Sequence, residues 1–150
     1  MGKSASMEDY LEAVEMLRSG GRPVRINEIS KLLGVKMPSV TAAMKRLSEE
    51  KMVIYEKYGR IELTPAGKKA AQDVFRRHEI LRRFLIDVLD MDPEKAAEDA
   101  CRMEHAISAT ALERLAKLQS LVQSCPDDRI PWLSSYRRYL EYGELPERPD

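Results

Sequence analysis

Apolar residues return every three or four positions through most of this chain, and a single stretch breaks into strict alternation. In "SMEDYLEAVEMLRSGG", Met7, Tyr10, Leu11, Val14 and Leu17 keep helical spacing, with Ser6 placed to cap the start and Gly20-Gly21 to end it. "VRINEISKLLGVKMPSVTAAMKRLSEEKMV" divides into a short helix over Asn27 to Leu33, a turn at Gly34, and a second helix from about Pro38 to Glu50. Ile29, Leu32 and Leu33 supply the first apolar face, and Val40, Met44 and Leu47 the second. Pro38 suits a first turn, where its missing N–H would have had no partner. The period then shortens to two. "VIYEKYGRIELTP" alternates around Tyr58-Gly59-Arg60, which predicts a two-stranded hairpin.

Helical spacing resumes at Thr64-Pro65. A long helix carries Val74, Leu81, Leu85 and Val88 inward, another starts near Pro93, and "SATALERLAKLQSLVQ" forms an amphipathic helix with Leu112, Leu115 and Leu118 inward. The remainder predicts one short helix around Trp132 to Leu140 and a disordered tail over 143–150.

Helix, glycine turn, helix, then hairpin is the order of a winged helix-turn-helix, in which the second helix enters the major groove and the hairpin lies along the backbone. The expected fold is therefore mainly α. A winged helix-turn-helix DNA-binding domain over 1–72 precedes a helical domain over 73–142. The second helix offers Pro38, Ser39, Thr41, Ala42 and Lys45 outward, with Lys36 ahead of it, and the hairpin tip carries Lys57 and Arg60. Small hydroxyls and methyls suit base edges, and lysine and arginine suit phosphates. The plainer alternative is a helical hairpin with solvated lysines.

Charge narrows the partners. The 25 basic residues equal the 25 acidic ones, so any nucleic-acid surface has to come from local segregation. No apolar run is long enough for a membrane span, and no signal-peptide core is visible. The two cysteines, Cys101 and Cys125, point to thiols in a reducing cytoplasm, the expected location.

Outside the DNA-binding pattern, ionisable residues collect beside apolar stripes. Asp9 and Glu12 are three apart on the first helix, His78 sits between Phe75 and Leu81, and Cys101, Glu104 and His105 share one side of a helix. Each has an ordinary explanation: helix-dipole chemistry, a hydrogen-bonded boundary histidine, a buried thiol acting as a small hydrophobe. Together they make a mixed N/O/S set suited to a divalent transition metal. A metalloenzyme using the Cys/Glu/His cluster is the rival, and a metal-independent winged-helix regulator is the third reading. No glycine-rich substrate loop or further polar convergence favours catalysis, so no enzymatic activity is expected.

The stretches "SMEDYLEAVEML", "PSVTAAMKRL", "IYEKYGRIELTPAGKKAA", "RRHEILRRFL" and "DACRMEHAIS" resemble, in order and spacing from about Met7 to Val122, the diphtheria toxin repressor family of metal-dependent regulators. The manganese transport regulator branch is the most similar. The resemblance implies a dimeric winged-helix repressor that binds operator DNA, expected to be palindromic, when loaded with Fe(II) or Mn(II), and that controls metal-uptake genes. By position it implies Asp9, Glu12, His78, Glu104 and His105 as metal ligands, and 73–142 as the dimerisation and metal-binding domain. Cys101 departs from the manganese branch, which has glutamate there, and agrees with the iron branch, whereas Asp9 stands where the iron branch has methionine. Arg82 and Ala97 occupy places of the iron branch's second site, and with few residues after Ser124 the SH3-like domain of longer members is not expected. With a thiolate in the set, Zn(II) or Co(II) is also competent in vitro.

Overall fold

The computed structural model describes residues 5–18, 22–56, 59–125, 130–145 and 147. It divides into two compact units, residues 1–76 and 77–150. The elements are, in order, α1 (Met7–Arg18), α2 (Ile26–Leu33), α3 (Met37–Glu49), β1 (Val53–Tyr55), β2 (Ile61–Leu63), α4 (Pro65–Asp87), α5 (Pro93–Met103), α6 (Ala109–Ser124) and α7 (Pro131–Tyr142). The fold is mainly helical, as the periodicity predicts. The Gly20-Gly21 stop and the Lys57-Tyr58 wing tip lie outside the described residues.

In the first unit α1 opens with a reciprocal cap. The Asp9 N–H donates to Ser6 Oγ at 3.1 Å, and the Ser6 N–H donates to the Asp9 carboxylate at 2.8 Å. Gly34 closes α2 in the left-handed region (φ 65°), which a residue without Cβ adopts without strain. Pro38 lies in the first turn of α3 as expected. The chain leaves α3 through Lys51 (φ 58°), with the Met52 N–H bonded to the Leu47 carbonyl at 2.8 Å. The strands pair antiparallel, Val53 opposite Leu63 and Tyr55 opposite Ile61. On its other side Ile61 bridges to Val24, through Ile61 N–H to Val24 O at 3.1 Å. This third partner carries no alternation in the sequence.

One core unites these elements, built from Leu11 and Val14 of α1, Ile29 of α2, Val40, Met44 and Leu47 of α3, and Val53 and Ile61 of the strands. Leu32 departs from the expected inward set at 44% exposed. Thr64 clamps the start of α4: its hydroxyl donates to the Lys51 carbonyl at 2.6 Å and accepts the Gly67 N–H at 3.1 Å. Gly67 is required there, because a Cβ would stand 1.9 Å from the Met52 carbonyl oxygen.

The second unit packs the rest of α4 with α5, α6 and α7. Leu81 and Leu85 meet Ala96 and Ala100 of α5 in one cluster, and Val88, Val122, Ile130 and Leu133 form another. Asp90 (φ 56°) ends α4, with the Met91 N–H reaching back to the Leu85 carbonyl at 3.0 Å. Asp92 then caps α5 by accepting the Glu94 and Lys95 N–H groups. The last helix is docked: Leu133 is buried, and the Tyr136 hydroxyl donates to the Leu89 carbonyl at 3.2 Å. It runs to Tyr142, two residues beyond the expected end, and Gly143 (φ 71°) stops it. Of the expected disordered tail, residues 146 and 148–150 lie outside the described residues. No described helix is long and apolar enough to cross a membrane.

Candidate metal centre and DNA-reading face

Helix α5 stops one residue short of Glu104, which caps it, and His105 lies in the turn that follows. That turn is closed by the Ala106 and Ile107 N–H groups, both bonded to the Met103 carbonyl at 3.0 Å. Ser108 then starts α6 by accepting the Ala111 N–H. Glu104 keeps helical backbone, its N–H bonded to the Ala100 carbonyl at 2.9 Å, so it stands one turn on from Cys101 but differs from it in exposure. Cys101 stays on the exposed surface of α5, whereas the Glu104 side chain is 0% exposed.

Two imidazoles approach the buried carboxylate. His78, on α4, has Nδ1 2.8 Å from Glu104 Oε2, and His105 has Nε2 3.3 Å from Oε1. The second contact is close enough for an ion pair but does not meet hydrogen-bond geometry, and Oε1 makes no hydrogen bond among the described residues. If Nδ1–H of a neutral His78 donates to Glu104, the ring's lone pair is on Nε2. Burying a carboxylate costs several kcal/mol unless its charge is met. Nitrogen and oxygen donors around one such carboxylate fit a divalent cation.

The first unit places the other two expected carboxylates on α1. Asp9 is half-buried, and its Oδ2 accepts the Ser6 N–H. Glu12 is half-buried one turn further on. It lines a cavity of about 300 Å³ with Glu15, Met16 and Phe75. Glu15 is held below the ordinary glutamate range, first by its hydrogen bond from Arg18, against a smaller opposing effect of burial. On α4, Glu79 is likewise held low, first by the Arg82 guanidinium at 3.0 Å, so Arg82 is paired within its own helix.

The expected reading residues fall on the solvent side of α3. Lys36, Pro38, Ser39, Ala42 and Lys45 are exposed, and Thr41 is half-buried. Arg60 of the hairpin is exposed and pairs with Glu62 at 3.1 Å. Lys57 lies outside the described residues. Met37, 50% exposed at the start of α3, belongs with this face although the sequence reading omitted it. Its position four residues before Thr41 was the available signal.

Comparison with known proteins accounts for both halves. Residues 3–61 match the N-terminal DNA-binding domain of iron-dependent repressors, and residues 64–132 match their metal-binding and dimerisation domain. The chain is 39% identical over 113 residues to an HTH-type transcriptional regulator of Methanocaldococcus jannaschii, covering 75% of this chain and 90% of that one. It is 37% identical over 136 residues to the HTH-type transcriptional regulator MntR of Bacillus pumilus, covering 91% and 93%. Among solved structures, the manganese regulator SloR superposes with a TM-score of 0.71 at 27% identity, covering 79% of this chain and 55% of that one. ScaR with bound Zn2+ gives 0.67 at 34% identity, covering 77% and 54%. The chain thus spans about half the length of these solved relatives. With both domain matches in sequence and over a helix-turn-helix, a wing and a buried carboxylate between two histidines, the chain belongs to the iron-dependent repressor family of metal-dependent transcriptional regulators.

Proposed function

We propose that this chain is a cytoplasmic metal-sensing repressor of metal-uptake genes, acting as a homodimer on a palindromic operator with Fe(II) or Mn(II) as corepressor. The observation that carries the reading is Glu104, buried between His78 and His105 with one oxygen that has no hydrogen bond among the described residues. His78, Glu104 and His105 of the second unit, together with Asp9 and Glu12 of α1, are the residues assigned to hold the ion, with Cys101 as a sixth donor. When bound, the cation supplies a positive centre that offsets the burial of Glu104 and joins carboxylates to imidazoles.

The chain's own residues carry the response onward. Leu11 and Val14 of α1 share one core with Val40, Met44 and Leu47 of α3, so a restraint applied at Asp9 and Glu12 is passed to the recognition helix through packed side chains. In a dimer, fixing the recognition helices lets both meet successive major grooves. A coupling of about 1–3 kcal/mol, or roughly 5- to 150-fold in DNA affinity, is usual for such devices. Gel-shift titration of the chain's own promoter DNA, with Mn(II) or Fe(II) and with chelator, tests this. Affinity unchanged within about twofold, below that coupling range, would remove the sensor reading.

A further inference from the structure

The solvent side of α3 lacks, through its first two turns, any side chain that makes paired hydrogen bonds to a base. Val40, Ala43, Met44 and Leu47 are turned into the core. At 3.6 residues per turn the opposite ridge is Pro38, Ala42, Lys45 and Glu49, all exposed. Met37 and Thr41 border that ridge on one side. Bidentate reading of guanine or adenine needs arginine, lysine, asparagine or glutamine. From Met37 to Met44 the helix has none of these. Thr41 could have been a donor to a base, but its hydroxyl donates to the Met37 carbonyl at 3.1 Å. That bond uses the hydroxyl's only proton, so toward a base the side chain offers the γ-methyl for apolar contact and an oxygen that can accept but not donate.

We infer that α3 reads thymine by its 5-methyl group, through the Thr41 methyl, Ala42 and Met37. Apolar contact with that methyl is the direct readout open to the alkyl surfaces of these three side chains, and the early turns of the second helix are the ones that reach base edges. The charge around the patch suits the same occupant. Lys36 stands immediately before it, and Lys45 and Arg46 follow in the next turn, so cations flank an apolar centre. Phosphate attraction would then seat the helix without choosing a sequence. The inference rests on the DNA-binding assignment of this unit and adds what the helix recognises.

The test uses the full-length protein with Mn(II) to enrich duplexes from a randomised library. Each thymine of the enriched duplex is then replaced in turn by deoxyuridine, which removes only the methyl. At one or more thymines in each half-site, affinity is expected to fall about fourfold, the equivalent of one buried methyl. Thr41→Ser keeps the hydroxyl bond and deletes the methyl, so it should abolish the thymine-deoxyuridine difference at one of those positions. Met37→Ala should reduce the difference at another. Deoxyuridine duplexes that all bind like the parent overturn the inference and leave DNA binding intact. A thymine effect that survives both variants and Ala42→Gly overturns the assignment to α3. Enrichment of no duplex overturns the DNA-binding assignment itself, and this inference with it.

Discussion

Replacing Glu104 by glutamine separates a metal ligand from a structural ion pair. The carboxylate is fully buried, with His78 Nδ1 at 2.8 Å. If His78 were protonated, two unit charges at that distance would attract by about 6 kcal/mol at an effective dielectric of about 20. Desolvation takes back several kcal/mol for each ion, so the pair alone contributes little to folding. Glutamine has nearly the same volume, can still bond the imidazole, and brings no charge to bury. In chelator, urea unfolding of Glu104→Gln is therefore expected within about 1 kcal/mol of the parent, the net size of an ordinary hydrogen bond. With Mn(II) the two proteins should part. A ligand at a hundredfold excess over its Kd stabilises by about 2.7 kcal/mol, and the variant should lose most of that.

The opposite pattern would refute the reasoning. If Glu104→Gln loses about 3–5 kcal/mol in chelator, as breaking a structural buried pair does, and keeps its Mn(II) protection, then Glu104 serves the fold and the ion lies elsewhere.

Three further outcomes follow from particular contacts. Gly67→Ala would place a Cβ 1.9 Å from the Met52 carbonyl. Since backbone has to move, the first unit should lose at least the 1–3 kcal/mol or so usual for overpacking, and a loss under about 0.5 kcal/mol in chemical denaturation would refute the clamp. Glu15, held below the ordinary glutamate range chiefly by its bond from Arg18, stabilises the fold above its unfolded pKa, and that contribution is lost as pH falls through the depressed folded value. Both side chains are partly exposed, so Glu15→Gln should cost under about 1 kcal/mol at pH 7, and its stability curve should meet the parent's in acid; a constant gap at all pH values would contradict the assignment. Cys101→Glu should favour Mn(II) and a second bound ion, checked by counting metal per subunit, and an unchanged count and preference would exclude Cys101 from the site.

The parts of the fold that were legible are those in which a local rule and the tertiary structure agree. Pro38 in a first turn, Asp92-Pro93 at a helix start, the alternation on either side of Gly59 and the inward stripe of α3 each act within a few residues, and all are present. The bridge from Val24 to Ile61 was not legible, because a single residue has no period. The end of α5 was hidden for another reason. "RMEHAIS" contains neither glycine nor proline, so nothing local marks a stop after Met103. The site followed the same division. Spacing nominated Cys101, Glu104 and His105 together, but it does not say which of them is covered; packing leaves Glu104 buried and Cys101 facing solvent.

Glu104 and Asp9 also stand in opposite local circumstances, which bears on what each would do for a cation. Asp9 lies in the first turn of α1, where the helix dipole favours a negative charge and the Ser6 N–H bonds its carboxylate. Glu104 caps the C-terminal end of α5, where the dipole disfavours a negative charge, and it does so fully buried with one oxygen that has no hydrogen bond among the described residues. Local rules are satisfied at the first position and broken at the second. Sequences keep a locally costly residue where function requires it. Asp9 is stable in place before any ion arrives, so its use of the ion would be a response to it. Glu104 is the residue whose cost the ion would offset, so the affinity would originate there. On that argument the second unit would capture the cation and α1 would register the capture. Glu104→Gln should then abolish binding, whereas Asp9→Asn, which keeps a carbonyl oxygen to accept the Ser6 N–H, should weaken binding less than it weakens metal-dependent DNA affinity.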